Sequence, residues 1–151
     1  MDWFDVSSVK KAISDADFVV DCLSADLVVP AGGVSADFVR RESEFACGHL
    51  LTLGKTLSSS SKLVVVFRGA ADVTDKEVVN FLQSPASAFA RSLSLERPEV
   101  WHGMVDVSTS GTHAESAAHV VAELGCSDHE DQVAYHNGSR FALRVLPSTE
   151  E

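Results

Sequence analysis

Histidine and cysteine residues in the C-terminal third of the chain are the side chains best suited to bind a metal ion. His113, His119, Cys126 and His129 lie close together in sequence, and Cys126-x-x-His129 has a plausible ligand spacing. His113 and His119 project from different faces of a predicted helix, because their separation does not match the helical repeat. The pattern therefore favours exposed or hydrogen-bonded histidines and predicts no metal site.

A small acidic cluster next to these histidines could serve acid–base chemistry. It consists of Asp128, Glu130 and Asp131. General acid–base catalysis needs a second group positioned against the first across the substrate, and no opposed carboxylate can be identified in the sequence. The chain also lacks the G-x-S-x-G turn that presents a hydrolase serine. These residues predict no catalytic site.

Two glycine patterns bear on nucleotide binding. Residues 48–56 imitate a phosphate-binding loop, but five residues separate Gly48 from Gly54 where that loop has four. The segment also ends a predicted helix, whereas phosphates bind where helices begin. No G-x-G-x-x-G occurs in the chain, and Gly32-Gly33 stands alone, well after the first predicted strand. We therefore expect no cofactor.

The elements that would position these residues alternate between strand and helix. Residues 28–34, with Pro30, Gly32 and Gly33, read as a loop. The first strand is apolar enough to be covered on both faces. Asn137-Gly138 is a strong hairpin signal. Strands are predicted at 17–23, 62–67, 102–107, 132–135 and 141–145, and helices at 36–57, from 84 to just before Pro98, and at 112–124. This order predicts an α/β fold with a mostly parallel sheet, helices on both faces and a short C-terminal hairpin.

Helical spacing also predicts which side chains face the core. Ser84 is expected to cap its helix and Pro85 to occupy the first helical position. Gly125 is expected to end the last helix in the left-handed conformation. The buried positions predicted from i, i+3, i+4 spacing are Phe38, Val39, Phe45, Ala46, Leu50, Leu53 and Leu57 in the first helix, Ala86, Phe89, Ala90 and Leu93 in the second, and Ala114, Ala117, Ala118 and Val121 in the third.

Composition narrows the function classes. The 151 residues carry a net charge of −10, which disfavours nucleic-acid binding because phosphates must be neutralised by Lys and Arg. Cys22, Cys47 and Cys126 are few and odd in number, which is typical of a reducing compartment. No apolar run is long enough for a membrane span, and the N-terminus lacks signal-peptide features. We expect a cytoplasmic protein that binds neither membrane nor nucleic acid.

Two blocks of sequence resemble a known family. The first is residues 83–106, in which a helix leads through Leu-Glu-Arg-Pro-Glu to Trp101 and a strand. The second is residues 130–144, beginning Glu-Asp-Gln-Val-Ala and containing Gly138, Arg140 and Arg144. Together with residues 62–70, they look like the structural subdomain of a modular polyketide synthase ketoreductase, a truncated Rossmann fold related to short-chain dehydrogenases/reductases. Related fatty acid synthases carry a similar subdomain.

The resemblance implies a supporting role without chemistry. In this family the structural subdomain binds no cofactor, and a separate catalytic subdomain binds NADPH and reduces the substrate. Such ketoreductases use a tyrosine with a lysine and a serine. Tyr135, the sole tyrosine, stands four residues before Ser139 in a predicted strand with no lysine nearby, which favours a sheet residue. The resemblance assigns structural or partner-interface roles to Trp101, Glu130, Asp131, Gln132, Arg140 and Arg144.

The resemblance also implies partners. They are a catalytic ketoreductase subdomain, in cis or in trans, and other polyketide synthase domains. The chain lacks the longer N-terminal portion usual in the family and stops where the catalytic subdomain would begin, so a fragment or a partner-dependent protein is expected. We predict a single domain over residues 1–146 with a polar tail at 147–151. Self-association is possible through an exposed sheet edge.

Two alternatives remain open from sequence. One is a stand-alone Rossmann-like binding or assembly protein that acts in trans on a polyketide synthase. The other is a small enzyme of a different class, whose chemistry would come from the acidic and histidine residues near the C-terminus. Gene boundaries would separate the first alternative from a subdomain, and alanine substitution of His129 and Asp131 would test the second.

Overall fold

Strands and helices alternate along the described part of the chain. The structure is a computed structural model that describes residues 5–73 and 78–144. The helices are α1 (Val6–Ile13), α2 (Ala36–Thr56), α3 (Ser84–Glu96) and α4 (His113–Leu124), and the strands are β1 (Phe18–Asp21), β2 (Lys62–Arg68), β3 (Trp101–Val107), β4 (Gln132–His136) and β5 (Ser139–Ala142). Short 3₁₀ turns occupy Ser24–Asp26 and Phe81–Gln83.

The strands form one five-stranded sheet in the order β1-β2-β3-β4-β5. The first four strands are parallel, and β5 is antiparallel to β4. Asn137 and Gly138 join β4 to β5 with φ values of 48° and 75°, which both belong to the left-handed region of a tight hairpin turn. The predicted mostly parallel α/β sheet and its C-terminal hairpin are confirmed.

Two apolar layers sandwich this sheet. One layer contains Val9 of α1, Leu50 of α2 and Ala90 of α3, packed on alternate residues of β2 and β3 such as Val65 and Met104. The second layer packs Val120 of α4 on the opposite face. The period-2 alternation of strand side chains explains why adjacent residues of β2 enter different layers. Helices therefore cover both faces, as predicted.

Helix α1 was not predicted from the sequence. Asp5 caps it by accepting hydrogen bonds from the backbone N–H groups of Ser7 and Ser8. Val9 is fully buried against α2, whereas Val6 is largely exposed. An aspartate followed by apolar residues at helical spacing is the signal that identifies this helix.

The first strand is less covered than predicted. It is shorter than the predicted 17–23, and it lies at the edge of the sheet. Phe18 and Val20 are each 38% exposed and point to the face that carries α4. α4 packs on the neighbouring strands β3 and β4, so one face of β1 stays open to solvent.

The predicted cap of α3 is wrong. Ser84 already has helical backbone angles, and its N–H bonds to the carbonyl of Phe81 in the preceding 3₁₀ turn. That turn therefore runs directly into the helix, and the N-cap position is Gln83, without a side-chain cap. Pro85 was expected at the first helical position and is the second residue of the helix, still within its first turn.

The predicted orientation of α4 is wrong. Ala114, Ala117, Ala118 and Val121 face solvent, and the buried positions are Val120 and Glu123. Burying alanine contributes little, because hydrophobic stabilisation scales with apolar area. Gly125 ends the helix with φ −99°, not in the left-handed region, in a tight turn whose N–H bonds to the carbonyl of Ala122.

The connection between β3 and β4 differs from its neighbours. All three parallel connections advance in the same direction across the sheet. Helices α2 and α3 nevertheless lie on one face and α4 on the other. Two connections that advance in the same direction but place their helices on opposite faces of the sheet have opposite hands. This difference is unusual, because connections between parallel strands are nearly always right-handed.

The ends of the predicted domain lie partly outside the described residues. The polar tail at 147–151, and Val145 of the last predicted strand, are not described. Among the residues that are described, no helix is both long and apolar enough to cross a membrane.

Candidate functional site

The carboxyl ends of parallel strands are where ligands usually bind in an open α/β sheet. Here the chain's own side chains bond to the backbone at those ends. We call this set of residues, Asp21, Gln83, Asp106 and Glu115, the carboxyl edge.

The end of β1 holds a buried hydrogen-bonded pair of side chains. The Asp21 carboxylate lies 3.0 Å from Nε2 of His49 in α2, and both side chains are 2% exposed. Asp21 also accepts a hydrogen bond from the backbone N–H of Leu23 at 3.2 Å. This pair ties the end of β1 to the middle of α2. His49 lies within the apolar stripe of α2. Its place in that stripe is the sequence signal that could have identified it as a buried residue.

The end of β2 is held by two side chains. Gln83 is fully buried, and its amide pairs with the backbone of Arg68, accepting from the N–H at 2.9 Å and donating to the carbonyl at 3.1 Å. Asp106, from β3, accepts from the N–H groups of Ala70 at 3.0 Å and Ala71 at 2.6 Å. Backbone donors that could otherwise bind an anion are used within the chain.

The junction of β3 with α4 is one of the places where a helix follows the carboxyl end of a parallel strand. A capping box closes it, in which Glu115 accepts from the N–H of Thr112 at 2.7 Å and the Thr112 hydroxyl accepts from the N–H of Glu115 at 3.2 Å. The hydrogen bond from the Thr112 backbone is the main cause that lowers the pKa of Glu115. Its negative charge lies at the N-terminus of α4, which is the end of a helix that otherwise favours anions.

Tyr135 lies inside the sheet, where its hydroxyl is already engaged. The ring stacks on His119 at 4.0 Å, and the hydroxyl donates to Glu123 at 2.5 Å. Burial, followed by the hydrogen bond to Glu123, raises the pKa of Tyr135 to about 12. The phenol proton of Tyr135 is therefore shared with a carboxylate of its own chain in this structure.

Arg140 forms the strongest charged cluster of the hairpin. Its guanidinium donates to both carboxylate oxygens of Glu123, at 2.6 and 2.9 Å, and to Asp128 at 2.7 Å. Hydrogen bonding to Glu123 raises the pKa of Arg140 further above its usual value. Burial acts to raise the pKa of Glu123, but hydrogen bonds from Arg140 and Tyr135 outweigh it and the net shift is downward. Two-point pairing of this kind is among the strongest of hydrogen-bonded ion pairs.

Glu130 and Arg144 form a second pair beside this cluster. The guanidinium of Arg144 donates to both Glu130 oxygens, at 2.8 and 2.6 Å, and this lowers the pKa of Glu130. The pair joins the loop before β4 to the residues after β5. Arg140 and Arg144 thus both make ion pairs within the chain that hold the hairpin against that loop.

The other predicted site residues lie along the amino ends of β3 and β4. Trp101 is half-buried against the α2–α3 layer. The carbonyl of Asp131 accepts from the N–H of Met104 at 2.8 Å. The side-chain oxygen of Gln132 accepts from Nε of Arg91 in α3 at 3.0 Å. A backbone bond from Asp131 and a side-chain bond from Gln132 therefore join this segment to β3 and α3.

The structure also shows where the glycines and histidines singled out in the sequence lie. The segment that imitates a phosphate loop lies entirely within α2, and a methyl group on Gly54 would stand 2.6 Å from Cδ1 of Leu93 in α3. Gly54 thus allows the two helices to approach closely. His113 bonds to Arg68 at 3.0 Å. Within residues 5–73 and 78–144, no three His, Cys, Asp or Glu residues are arranged to hold a metal ion.

The fold defines a Rossmann-like α/β domain, and at its carboxyl edge the chain's own side chains hydrogen-bond to the backbone. Residues 4–145 match the family of the Rossmann fold domain from the polyketide synthase extender module SpnB. The chain therefore belongs to this family of polyketide synthase Rossmann domains.

Curated relatives are large synthases. The chain is 28% identical over 145 residues to a phenolphthiocerol/phthiocerol polyketide synthase of Mycobacterium tuberculosis, covering 90% of this chain and 9% of that protein. It is 33% identical over 84 residues to the erythronolide synthase EryA3 of Saccharopolyspora erythraea, covering 56% of this chain and 3% of that protein. The chain thus spans less than a tenth of the length of these relatives.

Solved ketoreductases share the fold. The chain superposes on an A1-type ketoreductase with a TM-score of 0.69 at 20% identity, covering 93% of this chain and 29% of that one. A-type ketoreductases from a modular polyketide synthase give a TM-score of 0.71 at 19% identity, covering 96% and 31%. The sequence-based resemblance to part of a polyketide synthase ketoreductase is confirmed.

Proposed function

We propose that the chain is a non-catalytic structural subdomain that supports a ketoreductase in polyketide or fatty acid biosynthesis. The observation that carries this proposal is the carboxyl edge. The backbone donors after β2 and at the start of α4 bond to Asp106 and Glu115, so a negatively charged cofactor meets carboxylates there. The hydroxyl of Tyr135 is engaged by Glu123 of its own chain.

The physical task of such a subdomain is to complete a fold. It buries apolar surface of a catalytic partner and restrains the partner's active site, because small displacements of reacting groups cost large factors in rate. The partner would be a ketoreductase catalytic half, in cis or in trans, in the cytoplasm. We propose that Trp101, Glu130, Asp131, Gln132, Arg140 and Arg144 maintain the shape of the hairpin that faces it.

Reconstitution tests this function. The partner is the part of the A1-type ketoreductase that lies outside its superposition on this chain, fused through a flexible linker after Glu151. We expect the fusion to reduce a small model ketone with NADPH roughly 100-fold faster than the partner alone, as expected when loosely held groups become positioned. The same partner fused to its own superposed segment is the positive control.

Two results would contradict the proposal. One is reduction of the ketone by the isolated chain. The other is a fusion no faster than the partner alone while the positive control is active.

A trans-acting assembly protein is the second candidate. The chain has an apolar layer on each face of its sheet, so its described residues contain a core of their own. Mixing the unlinked chain with the same partner separates the two functions. A protein that acts in trans accelerates reduction without the linker, whereas a subdomain that depends on covalent connection does so only in the fusion.

A further inference from the structure

One face of the β4–β5 hairpin carries no helix among the described residues. The register places Ala134 and Phe141 side by side on the face of the sheet covered elsewhere by α2 and α3. Leu143 continues this face, because its N–H bonds to the carbonyl of Gln132 at 3.0 Å. Phe141 is 41% exposed and Leu143 53% exposed. A hairpin of this composition normally buries such residues against another layer.

These side chains form the floor of a groove whose wall is α3. We call it the α3-side groove. Its principal lining residues are Ser87, Arg91, Met104, Ala134, Phe141 and Leu143. The groove encloses about 230 Å³. The groove is open to solvent beside a helix, and an open groove of this kind suits the packing of another helix.

The position of α4 explains why the groove is empty of helix. Helices α2 and α3 follow one another across this face as the chain moves from β1 to β3. If the connection from β3 to β4 had the same hand as the two before it, its helix would lie beside α3 and pack on β4. Because α4 packs on the opposite face, none of the helices in residues 5–73 and 78–144 occupies the next position in the layer.

The charges beside the groove specify its occupant further. Arg91 donates through Nε to the neutral amide oxygen of Gln132, so its positive charge is not balanced by that contact. Arg144, also at the groove, pairs with Glu130. Asp106 is turned to the backbone of Ala70 and Ala71. The lining thus carries two guanidiniums, of Arg91 and Arg144, and two carboxylates, of Asp72 and Asp106. Arg91 projects from α3 and bonds to a neutral amide, so its charge favours an incoming segment with an acidic residue near α3.

We propose that the α3-side groove binds an amphipathic helix of the ketoreductase catalytic half, with apolar side chains on Phe141 and Leu143 and a carboxylate near Arg91. This proposal rests on the proposed function. The solved ketoreductases contain the necessary polypeptide, since this chain covers only 29–31% of the A1-type and A-type chains. The helix supplies the missing piece of the layer that α2 and α3 begin.

Substitution within the fusion tests the groove. Leu143→Asp places a carboxylate in the proposed contact, and Leu51→Asp, on the exposed side of α2 where Leu51 is 42% exposed, is the matched control. We expect Leu143→Asp to lower the reduction rate at least about tenfold, since an unpaired buried charge is strongly unfavourable. Arg91→Glu should also lower the rate, and Leu51→Asp should leave it unchanged.

The melting curve of each isolated variant, followed by circular dichroism, shows that the chain itself stays folded. The groove assignment is overturned if Leu143→Asp and Leu51→Asp, both folded, leave the wild-type fusion rate intact or reduce it equally. A failure of the wild-type fusion instead contradicts the proposed function. Sedimentation of the isolated chain tests whether a second copy of the chain occupies the groove instead. If the isolated chain is a dimer and Leu143→Asp dissociates it, the second copy is the occupant and the proposal is overturned.

Discussion

At the scale of residues, Glu123 decides how the C-terminal half packs. A carboxylate in a helix is normally placed toward solvent when a sequence is read by its apolar stripe. Here Arg140 and Tyr135 approach from the hairpin and satisfy both oxygens, so Glu123 is only 5% exposed. The buried carboxylate turns the alanine face of α4 outward. The partners that make this possible lie at least 12 residues away, beyond the reach of a local pattern.

Replacing Glu123 by Gln should destabilise the fold by about 1–3 kcal/mol, the usual cost of leaving buried polar groups without their partner. Urea denaturation at pH 7 measures the difference. Glu96→Gln, at the exposed end of α3, is the control and should be nearly neutral. A Glu123 variant as stable as the wild type would show that the cluster contributes nothing to folding.

The same pair of proteins should differ in their response to acid. The pKa of Glu123 is lowered in the folded state from its usual 4.5. A lowered pKa means that the unfolded chain takes up the proton first, so the stabilisation is present above about pH 4.5 and is lost as the pH falls through the folded value. We expect the stability gap between wild type and Glu123→Gln to narrow below pH 4.5. A constant gap from pH 7 to pH 3 would contradict this cause.

At the scale of elements, strands with strong local composition and the spans of the three predicted helices were predictable, but the way in which α3 is capped was not. Lys62–Arg68 and the Asn137-Gly138 turn follow from β-branched residues and from left-handed turn chemistry. The capping of α3 does not follow, because Ser84 continues a 3₁₀ turn whose carbonyl satisfies its N–H. A capping signal describes a helix that begins in free chain, and α3 begins inside another turn.

The hairpin provides a test of element-scale stability. Gly138 has φ +75°, and a residue with a side chain in the left-handed region costs roughly 1–2 kcal/mol. We expect Gly138→Ala to lower the free energy of unfolding by about this amount in chemical denaturation. Gly32→Ala is the matched control, because Gly32 has no atom within 4 Å of the added carbon and no positive φ. Equal stability of the two variants would show that the turn does not constrain the hairpin.

At the scale of the whole molecule, the sequence predicts the parallel sheet and the family, but it does not predict the hand of each connection. Alternation of strand and helix predicts a mostly parallel sheet, and the two sequence blocks predict the ketoreductase family. The opposite hand of the β3–α4–β4 connection was not predictable, because it accompanies the burial of Glu123, whose partners Tyr135 and Arg140 lie far along the chain. Of the carboxyl edge, Thr112 and Glu115 show a capping-box spacing, but Asp106 and Gln83 bond to residues distant in sequence.

The central claim is that this domain supports a reductase without binding its cofactor. Calorimetric titration of NADPH into the isolated chain tests it most directly, with the intact A1-type ketoreductase as positive control. We expect no heat of binding to the chain at cofactor concentrations that saturate the control, because carboxylates and backbone contacts occupy the strand ends. One-to-one binding of NADPH to the isolated chain at the control's affinity would contradict a purely structural role.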